Sequence, residues 1–258
     1  MSKPEFFDTH AHIHFADYEL DAEEVIADAE KAGVTRVMLV GCYLEDSRAG
    51  IALAEKHENY WVSIGLHPHE AKHYVESPHK LQQFRDFADH PQVKAIGETG
   101  LDFYYNHSNR RQQEKLLRFQ LTLAQEHDLP VIFHVRDAFD EFFAILDDFE
   151  GIRGVIHSFS SDRAILDKCL ARGLYIGLNG IMTFTKDKEQ LEAAKAVPLS
   201  KLLLETDAPF LTPAPERGNI CQPKHLVVTA KFLANLRGET LVEIASATTK
   251  NANKLFNL

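Results

Sequence analysis

Short apolar runs alternate along the chain with longer segments of helical periodicity. Runs such as Val-Met-Leu-Val (37–40) and Leu-Leu-Leu (202–204) are not interrupted by polar residues, which is typical of strands buried on both faces of a parallel sheet. The apolar runs predict eight strands, at residues 6–13, 35–41, 60–67, 93–101, 130–135, 154–159, 174–180 and 201–206. The periodic segments predict helices at residues 21–32, 44–56, 79–88, 110–127, 139–149, 162–171, 188–196, 223–236 and 240–253.

The repeated strand-then-helix order decides the predicted fold class, which is α/β. Eight such units of about 30 residues within 258 residues favour a single (β/α)8 TIM barrel over an open doubly wound sheet. No Gly-x-Gly-x-x-Gly motif follows the first strand, so the sequence does not favour a dinucleotide-binding fold. No linker rich in proline, glycine or serine interrupts the chain, and residues 1–258 are therefore predicted to form one domain.

Composition and charge exclude several classes of protein. Hydrophobic residues make up 45% and charged residues 26% of the chain, which fits a folded globular protein and not a disordered or fibrous one. The first residues lack the apolar stretch of a secretory signal, and no apolar run approaches the ~20 residues of a membrane helix. Three widely separated cysteines predict no disulfide framework, so we expect a cytoplasmic protein without membrane contact. The net charge of −10 argues against tight binding along a nucleic-acid duplex.

Residues able to bind a metal ion collect at the ends of five predicted strands. These six residues are His10, His12, Glu98, His134, His157 and Asp207. His10 and His12 stand two apart on one strand, so their side chains point to the same side. In barrel enzymes the carboxyl ends of the strands form the rim at which the chemistry occurs. The sequence therefore predicts a metal centre at the C-terminal rim of the strands.

Each of these residues has a simpler explanation when it is considered singly. A lone histidine at a strand end is more often hydrogen-bonded than ligating, and an Asp before Ala-Pro commonly forms a turn. The whole set is harder to explain in this way, because a buried carboxylate or imidazole is costly unless it is paired or ligated. Glu98 and Asp207 follow apolar strand residues and have no Lys or Arg beside them in the sequence. The set as a whole therefore favours metal binding.

Six motifs along the chain resemble those of one known family. They are His-Ala-His (10–12), Gly-Leu-His-Pro-His (65–69), Gly-Glu-Thr-Gly-Leu-Asp (97–102), His-Val-Arg-Asp-Ala (134–138), His-Ser-Phe-Ser (157–160) and Glu-Thr-Asp-Ala-Pro (205–209). In this order, over nearly the whole chain, they resemble the TatD-type metal-dependent deoxyribonucleases of the amidohydrolase-like superfamily. The resemblance implies a TIM barrel, two divalent metal ions per chain and hydrolysis of DNA phosphodiester bonds, often from a 3′ end.

The resemblance also implies a role for each candidate ligand. The implied ligands are His10, His12, Glu98 and Asp207 for one ion, and Glu98, His134 and His157 for the other. Glu98 would bridge the two ions, and Asp207 would orient the attacking water and take up its proton, so both are predicted catalytic residues. Mixed imidazole and carboxylate ligands suit Zn²⁺ or Mn²⁺, and Mg²⁺ stays open as the ion in use if availability decides.

Two further residues of these motifs are candidates for substrate binding. The resemblance suggests that His67 touches a substrate phosphate, whereas the alternative is a histidine that only shapes a turn. Arg136 continues the fifth strand, and its planar guanidinium suits a phosphate. An ion pair of Arg136 with Asp137, Asp140 or Glu141 is equally open.

Aromatic residues and a further histidine near these motifs allow two interpretations each. Phe103, Tyr104 and Tyr105 follow the strand of Glu98, and such rings can stack on an exposed base, but a packed lid is the favoured interpretation. His14 continues the alternation of the first strand, and we expect it to form a hydrogen bond and not to bind metal.

Two segments depart from the family pattern. Ser161 stands where the family commonly has glycine after Ser-Phe-Ser. Residues 217–223 read Arg-Gly-Asn-Ile-Cys-Gln-Pro, where the family often shows Arg-Gly-x-Arg-Asn-Glu-Pro. The departure over residues 219–222 leaves the predicted ligands intact, but it bears on the preference for substrate.

The sequence thus predicts a metal-dependent deoxyribonuclease that acts exonucleolytically on DNA ends or short single-stranded DNA, with no obligate protein partner. One alternative is a two-metal hydrolase of amides, lactones or phosphotriesters that uses the same site. A second alternative is a non-catalytic scaffold with a vestigial site, against which the complete set of six candidate ligands argues.

Overall fold

The computed structural model describes residues 4–105 and 107–258. Contacts among the residues divide the chain into two compact units. The first unit comprises the described chain up to Leu39 together with Ser158–Leu258, and the second comprises the described residues of Val40–His157. The prediction of one domain stays a prediction.

Strands and helices alternate along the chain, as the apolar pattern predicts. In chain order they are β1 (Phe6–Ala11), α1 (Ala22–Ala32), β2 (Val34–Val40), α2 (Leu44–Ala54), β3 (Tyr60–Ile64), α3 (Ala71–Tyr74), α4 (Pro78–Arg85), β4 (Val93–Asp102), α5 (Arg110–Glu126), β5 (Val131–Arg136), α6 (Phe139–Leu146), β6 (Gly154–Ile156), α7 (Arg163–Ala171), β7 (Tyr175–Leu178), α8 (Lys188–Ala196), β8 (Leu202–Leu204), α9 (Leu226–Arg237) and α10 (Leu241–Phe256). Short 3-10 helices lie at Pro68–Glu70, Gly180–Thr183, Leu199–Lys201 and Pro223–His225. Within residues 4–105 and 107–258, no helix combines the length and the hydrophobicity needed to cross a bilayer.

In the first unit, β1 pairs in parallel with β2, and β7 pairs in parallel with β8. A parallel bridge between Ala11 and Ala208 connects β1 with the segment that follows β8. Every residue of β1, β7 and β8 is buried, which fits the apolar runs of β7 and β8, whereas β1 also buries the polar residues Asp8, Thr9 and His10. The helix α10 covers β1, and the rings of Phe7 and Phe256 lie 6.1 Å apart there. Burial of one such ring stabilises the fold by roughly 1.5–3 kcal/mol.

In the second unit, β3, β4, β5 and β6 form consecutive parallel pairs. The helix α5 packs against β4, and its buried Gln120 accepts a hydrogen bond from the N–H of Leu66 (2.8 Å) and donates one to the Leu66 carbonyl (2.9 Å). Phe133 of β5 meets Phe142 of α6 edge-on, with ring centroids 4.9 Å apart. These contacts hold the strands whose carboxyl ends carry candidate site residues.

The predicted third strand is too long at its carboxyl end. β3 ends at Ile64 and not at His67, because Pro68 begins a 3-10 helix for which His67 is the N-cap. This 3-10 helix and α3 were not predicted, and α4 begins at Pro78 and ends at Arg85 instead of spanning 79–88. Short helices without a full period of apolar residues leave little signal in the sequence.

The predicted sixth and eighth strands are also too long. β6 ends at Ile156, and Ser158 two residues later has a φ of +50°. β8 ends at Leu204, and Asp207 has a φ of +61°. Left-handed backbone at residues other than glycine costs energy and concentrates at functional sites. Both strands therefore give way to turns at the positions where candidate ligands occur.

Candidate metal centre

The structure brings His10, His12 and Asp207 together in the first unit, and we call these three residues the His10 cluster. The Nε2 atoms of His10 and His12 lie 3.0 Å apart. Oδ1 of Asp207 lies 3.6 Å from Nε2 of His10 and 3.4 Å from Nε2 of His12. Both rings are buried, and the side chain of Asp207 is 13% exposed. Two imidazole nitrogens and one carboxylate oxygen thus converge on one point.

Backbone hydrogen bonds fix this arrangement. The N–H of Asp207 donates to the carbonyl of His10 (2.9 Å), and the N–H of His12 donates to the carbonyl of Ala208 (2.7 Å). Because residues two apart on a strand point to the same side, β1 and its continuation direct both rings toward the carboxylate. The cluster is therefore built on paired backbone and not on a free loop.

Asp8 is a buried acid next to the His10 cluster, and it is not among the residues selected from the sequence. Oδ1 of Asp8 accepts hydrogen bonds from the N–H of Thr206 (2.9 Å) and the N–H of His10 (3.3 Å), and Oδ2 accepts one from the Thr206 hydroxyl (2.5 Å). Burial raises the pKa of Asp8 to about 7, although these hydrogen bonds lower it. An acid inside an apolar strand, Phe-Phe-Asp, is the signal that could have identified Asp8.

A second buried acid, Glu205, holds the turn that follows β6. Its Oε1 accepts hydrogen bonds from the N–H of Ser158 (2.6 Å) and from Nδ2 of Asn179 (3.3 Å), and Asn179 also donates to the Ser158 hydroxyl (2.9 Å). A Cβ at position 177 would lie 2.3 Å from Oε2 of Glu205, so a larger residue than glycine there would displace this carboxylate. Glu205 therefore orients the backbone immediately after His157 in the sequence.

His14 does not behave as the sequence predicts. Within the described part of the chain, neither of its ring nitrogens has a hydrogen-bond partner, so the expected hydrogen bond is wrong. Its ring instead contacts Phe15, with centroids 5.4 Å apart, and lies 6.4 Å from the ring of His12. Burial, together with the neighbouring His12, lowers the pKa of His14 to about 3, so the ring is neutral.

The second unit holds a larger group of candidate ligands, which we call the Glu98 cluster: Glu98, His67, His134 and His157. Oε1 of Glu98 lies 2.8 Å from Nδ1 of His134, 3.6 Å from Nε2 of His67 and 3.7 Å from Nε2 of His157. The ligand atoms of His67, Glu98 and His134 all lie within 4.8 Å of one another, as a shared ion requires. The carboxylate is buried, and the three imidazoles come from β5 and from the segments that follow β3 and β6.

Close backbone contacts position Glu98. Its N–H donates to the carbonyl of Gly41 (2.9 Å), and the N–H of His67 donates to the carbonyl of Cys42 (2.8 Å). A Cβ on Gly65 would lie 2.1 Å from the backbone nitrogen of Glu98, so only glycine permits this approach. The Cys42 thiol lies 3.7 Å from Oε2 of Glu98. Gly65 of the Gly-Leu-His-Pro-His motif therefore allows the backbone of Glu98 to approach closely.

Asp102, at the end of β4, supports His134 from the side opposite Glu98. Its Oδ2 lies 3.1 Å from Nε2 of His134 and 2.9 Å from Nε2 of His69. Burial works to raise the pKa of Asp102, but its hydrogen bonds with His134 and His69 outweigh burial and hold that pKa well below its usual range. Burial likewise works to lower the pKa of His134, whereas hydrogen bonds with Asp102 and Glu98 raise it to about 9.

The two candidate substrate-binding residues lie in the second unit. His67 shapes the turn, since its Nδ1 accepts the N–H of His69 (3.2 Å), and it also faces Glu98. Burial and the neighbouring His134 keep the pKa of His67 well below its ordinary value, so this ring is neutral. Arg136 is exposed, and within residues 4–105 and 107–258 it forms no ion pair with the acids that were its alternative partners. Glu141, one of those acids, pairs with Arg110 (3.5 Å).

The aromatic residues after β4 do not form the packed lid that the sequence favours. Tyr104 is 58% exposed and Tyr105 is 51% exposed. The guanidinium of Arg136 lies over both rings, 4.1 Å from the centroid of Tyr104 and 4.7 Å from that of Tyr105. Phe103 is half-buried and carries the guanidinium of Arg110 over its ring (4.2 Å).

The segment that departs from the family pattern packs near Asp207. The N–H of Cys221 donates to the carbonyl of Pro209 (3.0 Å), and the carbonyl of Asn219 accepts the hydroxyl of Thr212 (2.7 Å). The Cys221 side chain is fully buried. Cys221 thus acts as a packing residue in the first unit, beside the strand continuation that carries Asp207.

Comparison with known proteins is consistent with this geometry. The chain matches the family model described as TatD related DNase over residues 7–257. It is 36% identical to the "Uncharacterized metal-dependent hydrolase YabD" of Bacillus subtilis (strain 168), over 98% of this chain and 99% of that protein. It is 37% identical to the "3'-5' ssDNA/RNA exonuclease TatD" of Erwinia tasmaniensis, over 98% of this chain and 100% of that protein. The crystal structure of YJJV, a TatD homolog from Escherichia coli K12, matches with a TM-score of 0.89 and 32% identity over 98% of each chain.

These matches define the class of protein as a metal-dependent hydrolase with histidine and glutamate groups able to bind metal. The chain belongs to the TatD family. The structural match also confirms the predicted fold class, because the YJJV homolog and this chain share the (β/α)8 TIM-barrel fold over nearly their whole lengths.

Proposed function

We propose that this protein is a nuclease that uses two divalent metal ions to hydrolyse phosphodiester bonds of DNA, starting from the end of a single strand. The observation that carries the proposal is the Glu98 cluster, in which one buried carboxylate oxygen lies within 3.7 Å of three imidazole nitrogens. Membership of the TatD family supports a hydrolase. The similarity to the Erwinia relative, which is named an ssDNA/RNA exonuclease, supports a single-stranded substrate.

The donor atoms fit divalent metal ions. Imidazole nitrogens and carboxylate oxygens are the mixed ligands that Zn²⁺ and Mn²⁺ accept, and Mg²⁺ is a further candidate. The proposed ligands are His10, His12 and Asp207 for one ion, and Glu98, His134 and His157 for the other. The bridging of both ions by Glu98 stays a prediction.

Bound ions would stabilise negative charge at the scissile phosphate and would lower the pKa of an attacking water. The chain's own residues supply the remaining parts. Asp207 keeps a partly exposed carboxylate, which would orient the water and accept its proton. His67 is neutral and stands beside Glu98, where its ring would contact a phosphate oxygen. Arg136 is the last residue of β5, is exposed, and would hold a phosphate through its guanidinium.

The test is a hydrolysis assay on single strands and duplexes of one sequence, labelled at the 3′ or the 5′ end, with Mn²⁺, Mg²⁺ or Zn²⁺ added. We expect the single strand to be shortened from one end, faster than the duplex. Glu98→Gln should abolish this activity, whereas the matched control Glu126→Gln, which changes an exposed acid on α5, should retain it.

The same preparations should be given a panel of lactones, cyclic amides and phosphotriesters. Hydrolysis of one of these compounds without any cleavage of single strands would contradict the nuclease proposal and favour the other hydrolase activity. An RNA strand of the same sequence, assayed in parallel, determines which nucleic acid is preferred.

A further inference from the structure

Two exposed tyrosines lie beside the Glu98 cluster, and the ring of Tyr105 also contacts the rings of His107 (centroids 5.8 Å apart) and His69 (5.7 Å). Tyr104 and Tyr105 follow β4 directly and leave more than half of each side chain in solvent, at 58% and 51% exposure. Their rings meet at right angles, with centroids 4.9 Å apart. Two adjacent exposed aromatic rings indicate a binding surface, because removing water from such rings is favourable.

A cation covers these rings on one side. The guanidinium of Arg136 lies 4.1 Å from the centroid of Tyr104 and 4.7 Å from that of Tyr105, and it is exposed. A guanidinium held over aromatic rings by cation–π attraction keeps N–H donors at its edges. Such donors suit a phosphate, whereas the ring faces suit an uncharged flat group.

The tyrosines are fixed to the candidate metal cluster through one residue. Oδ1 of Asp102 accepts the N–H groups of both Tyr104 and Tyr105, at 3.0 Å each. Its other oxygen lies 3.1 Å from Nε2 of His134, whose Nδ1 lies 2.8 Å from Glu98. Two hydrogen bonds therefore separate the backbone of the tyrosines from a candidate ligand, so the position of their backbone is tied to that of His134.

We propose that Tyr104, Tyr105 and Arg136 form a stacking platform for a nucleobase of a single-stranded nucleic acid, with Arg136 holding the phosphate next to that base. The platform rests on the proposed nuclease function and names how its substrate is held. Stacking on aromatic rings accepts any base, because every base has a flat face. A base within a duplex is already stacked and paired, so the platform selects unpaired ends. One arginine on a chain of net charge −10 provides this contact locally and creates no extended basic surface.

The experiment compares two labelled strands of equal length: oligothymidylate, and the same phosphodiester chain with abasic sites at its 3′ end. Both carry phosphorothioate linkages at that end, so that turnover does not interfere, and binding is measured by fluorescence anisotropy with Mn²⁺ present. The wild type should bind the thymidine strand more tightly than the abasic strand. The double variant Tyr104→Leu/Tyr105→Leu should weaken binding of the thymidine strand by roughly 5- to 100-fold and leave the abasic strand nearly unchanged.

Matched controls separate stacking from other effects. Tyr104→Phe/Tyr105→Phe keeps both rings and should bind both strands as the wild type does. Arg136→Gln should weaken binding of both strands, because both carry phosphates. Equal binding of the two strands by the wild type, an unchanged affinity in the leucine variant, or an equal loss for both strands in that variant would each overturn the platform.

Failure of the stacking platform can be distinguished from failure of the proposed nuclease function. Cleavage of unprotected single strands by the wild type tests the nuclease activity, and anisotropy on protected strands tests the platform. If the wild type cleaves single strands but binds thymidine and abasic strands equally, the nuclease proposal stands and the platform is contradicted. If the wild type prefers the thymidine strand in anisotropy but does not cleave unprotected single strands, the platform stands and the nuclease proposal is contradicted.

Discussion

Oδ2 of Asp102 lies 3.1 Å from Nε2 of His134. The other ring nitrogen of His134 lies 2.8 Å from Glu98, so one imidazole stands between two buried carboxylates. Where a histidine binds a metal, a carboxylate on its second nitrogen fixes both the tautomer and the orientation of the ring. Asp102 thus has the geometry of a positioning residue for His134, and it lies outside the set of ligands predicted from the sequence.

Replacing Asp102 with Asn should weaken metal binding without removing a ligand. The amide no longer fixes the His134 tautomer with a charge, and loss of such a partner typically lowers metal affinity by about 10- to 100-fold. Calorimetric titration of metal-free Asp102→Asn with Mn²⁺ or Zn²⁺ measures this change.

A control for that experiment is Asp86→Asn, which changes an exposed acid bonded to Gln82 and should bind metal as the wild type does. Unfolding curves of both variants show whether the fold persists. Wild-type metal affinity in a folded Asp102→Asn protein would contradict the positioning role.

Asp207→Asn should separate proton transfer from metal binding. The amide keeps the shape of the side chain and one neutral oxygen, so metal should stay while acceptance of the proton is lost. General-base contributions are typically ~10²–10⁴-fold, and kcat should fall by that order with KM little changed. Steady-state kinetics and metal content are measured beside Asp167→Asn, a change in an exposed ion pair with Arg163. A near-normal kcat would show that Asp207 does not handle the proton.

Gly177→Ala should destabilise the protein by displacing Glu205. The new Cβ would lie 2.3 Å from Oε2 of Glu205, so the carboxylate must leave the N–H of Ser158. Overpacking of a buried site costs about 1–3 kcal/mol, which urea unfolding resolves. Gly173→Asn is the comparison, because Gly173 has a φ of +76° that Asn tolerates and a Cβ added there would have no atom within 4 Å. Equal stability of Gly177→Ala and the wild type would contradict this account of Glu205.

Of the three cysteines, Cys42 should react first with iodoacetamide in the folded protein. Cys169 and Cys221 are buried, and burial raises the pKa of the Cys169 thiol to about 12. Cys42 is partly exposed, and its thiol lies 3.7 Å from Oε2 of Glu98, so its alkylation should also reduce metal content. Peptide mass spectrometry locates the label, and Cys42→Ala should take up none before unfolding. Early labelling of Cys169 would contradict the burial described for it.

Much of the fold and the candidate ligands could be predicted because both depend on local patterns. Uninterrupted apolar runs locate buried strands, and the runs at 37–40 and 202–204 lie within β2 and β8. A residue at the end of a strand can be recognised from the chain alone, and this rule found the members of both clusters. Strand ends were less accurate, since nothing in the sequence marks the left-handed backbone at Ser158 and Asp207, which follows the ends of β6 and β8.

The supporting residues could not be predicted, because their roles depend on partners far along the chain. Asp8 bonds Thr206, which lies 198 positions away in the sequence. Asp102 ends the motif Gly-Glu-Thr-Gly-Leu-Asp (97–102), yet nothing in that motif shows that its carboxylate faces His134. Exposure is equally non-local: the lid interpretation of Tyr104 and Tyr105 is wrong because more than half of each side chain stays in solvent, which the sequence around them does not show.

The central claim, that this chain hydrolyses single-stranded DNA with metal held by its histidine and carboxylate clusters, is tested most directly by chelation and restoration. Purified protein is analysed for metal, dialysed against a strong chelator, and assayed on a labelled single strand before and after addition of Mn²⁺, Mg²⁺ or Zn²⁺. The account predicts that activity disappears with the metal and returns when one of these ions is added. Full activity in protein shown to be free of metal would contradict it.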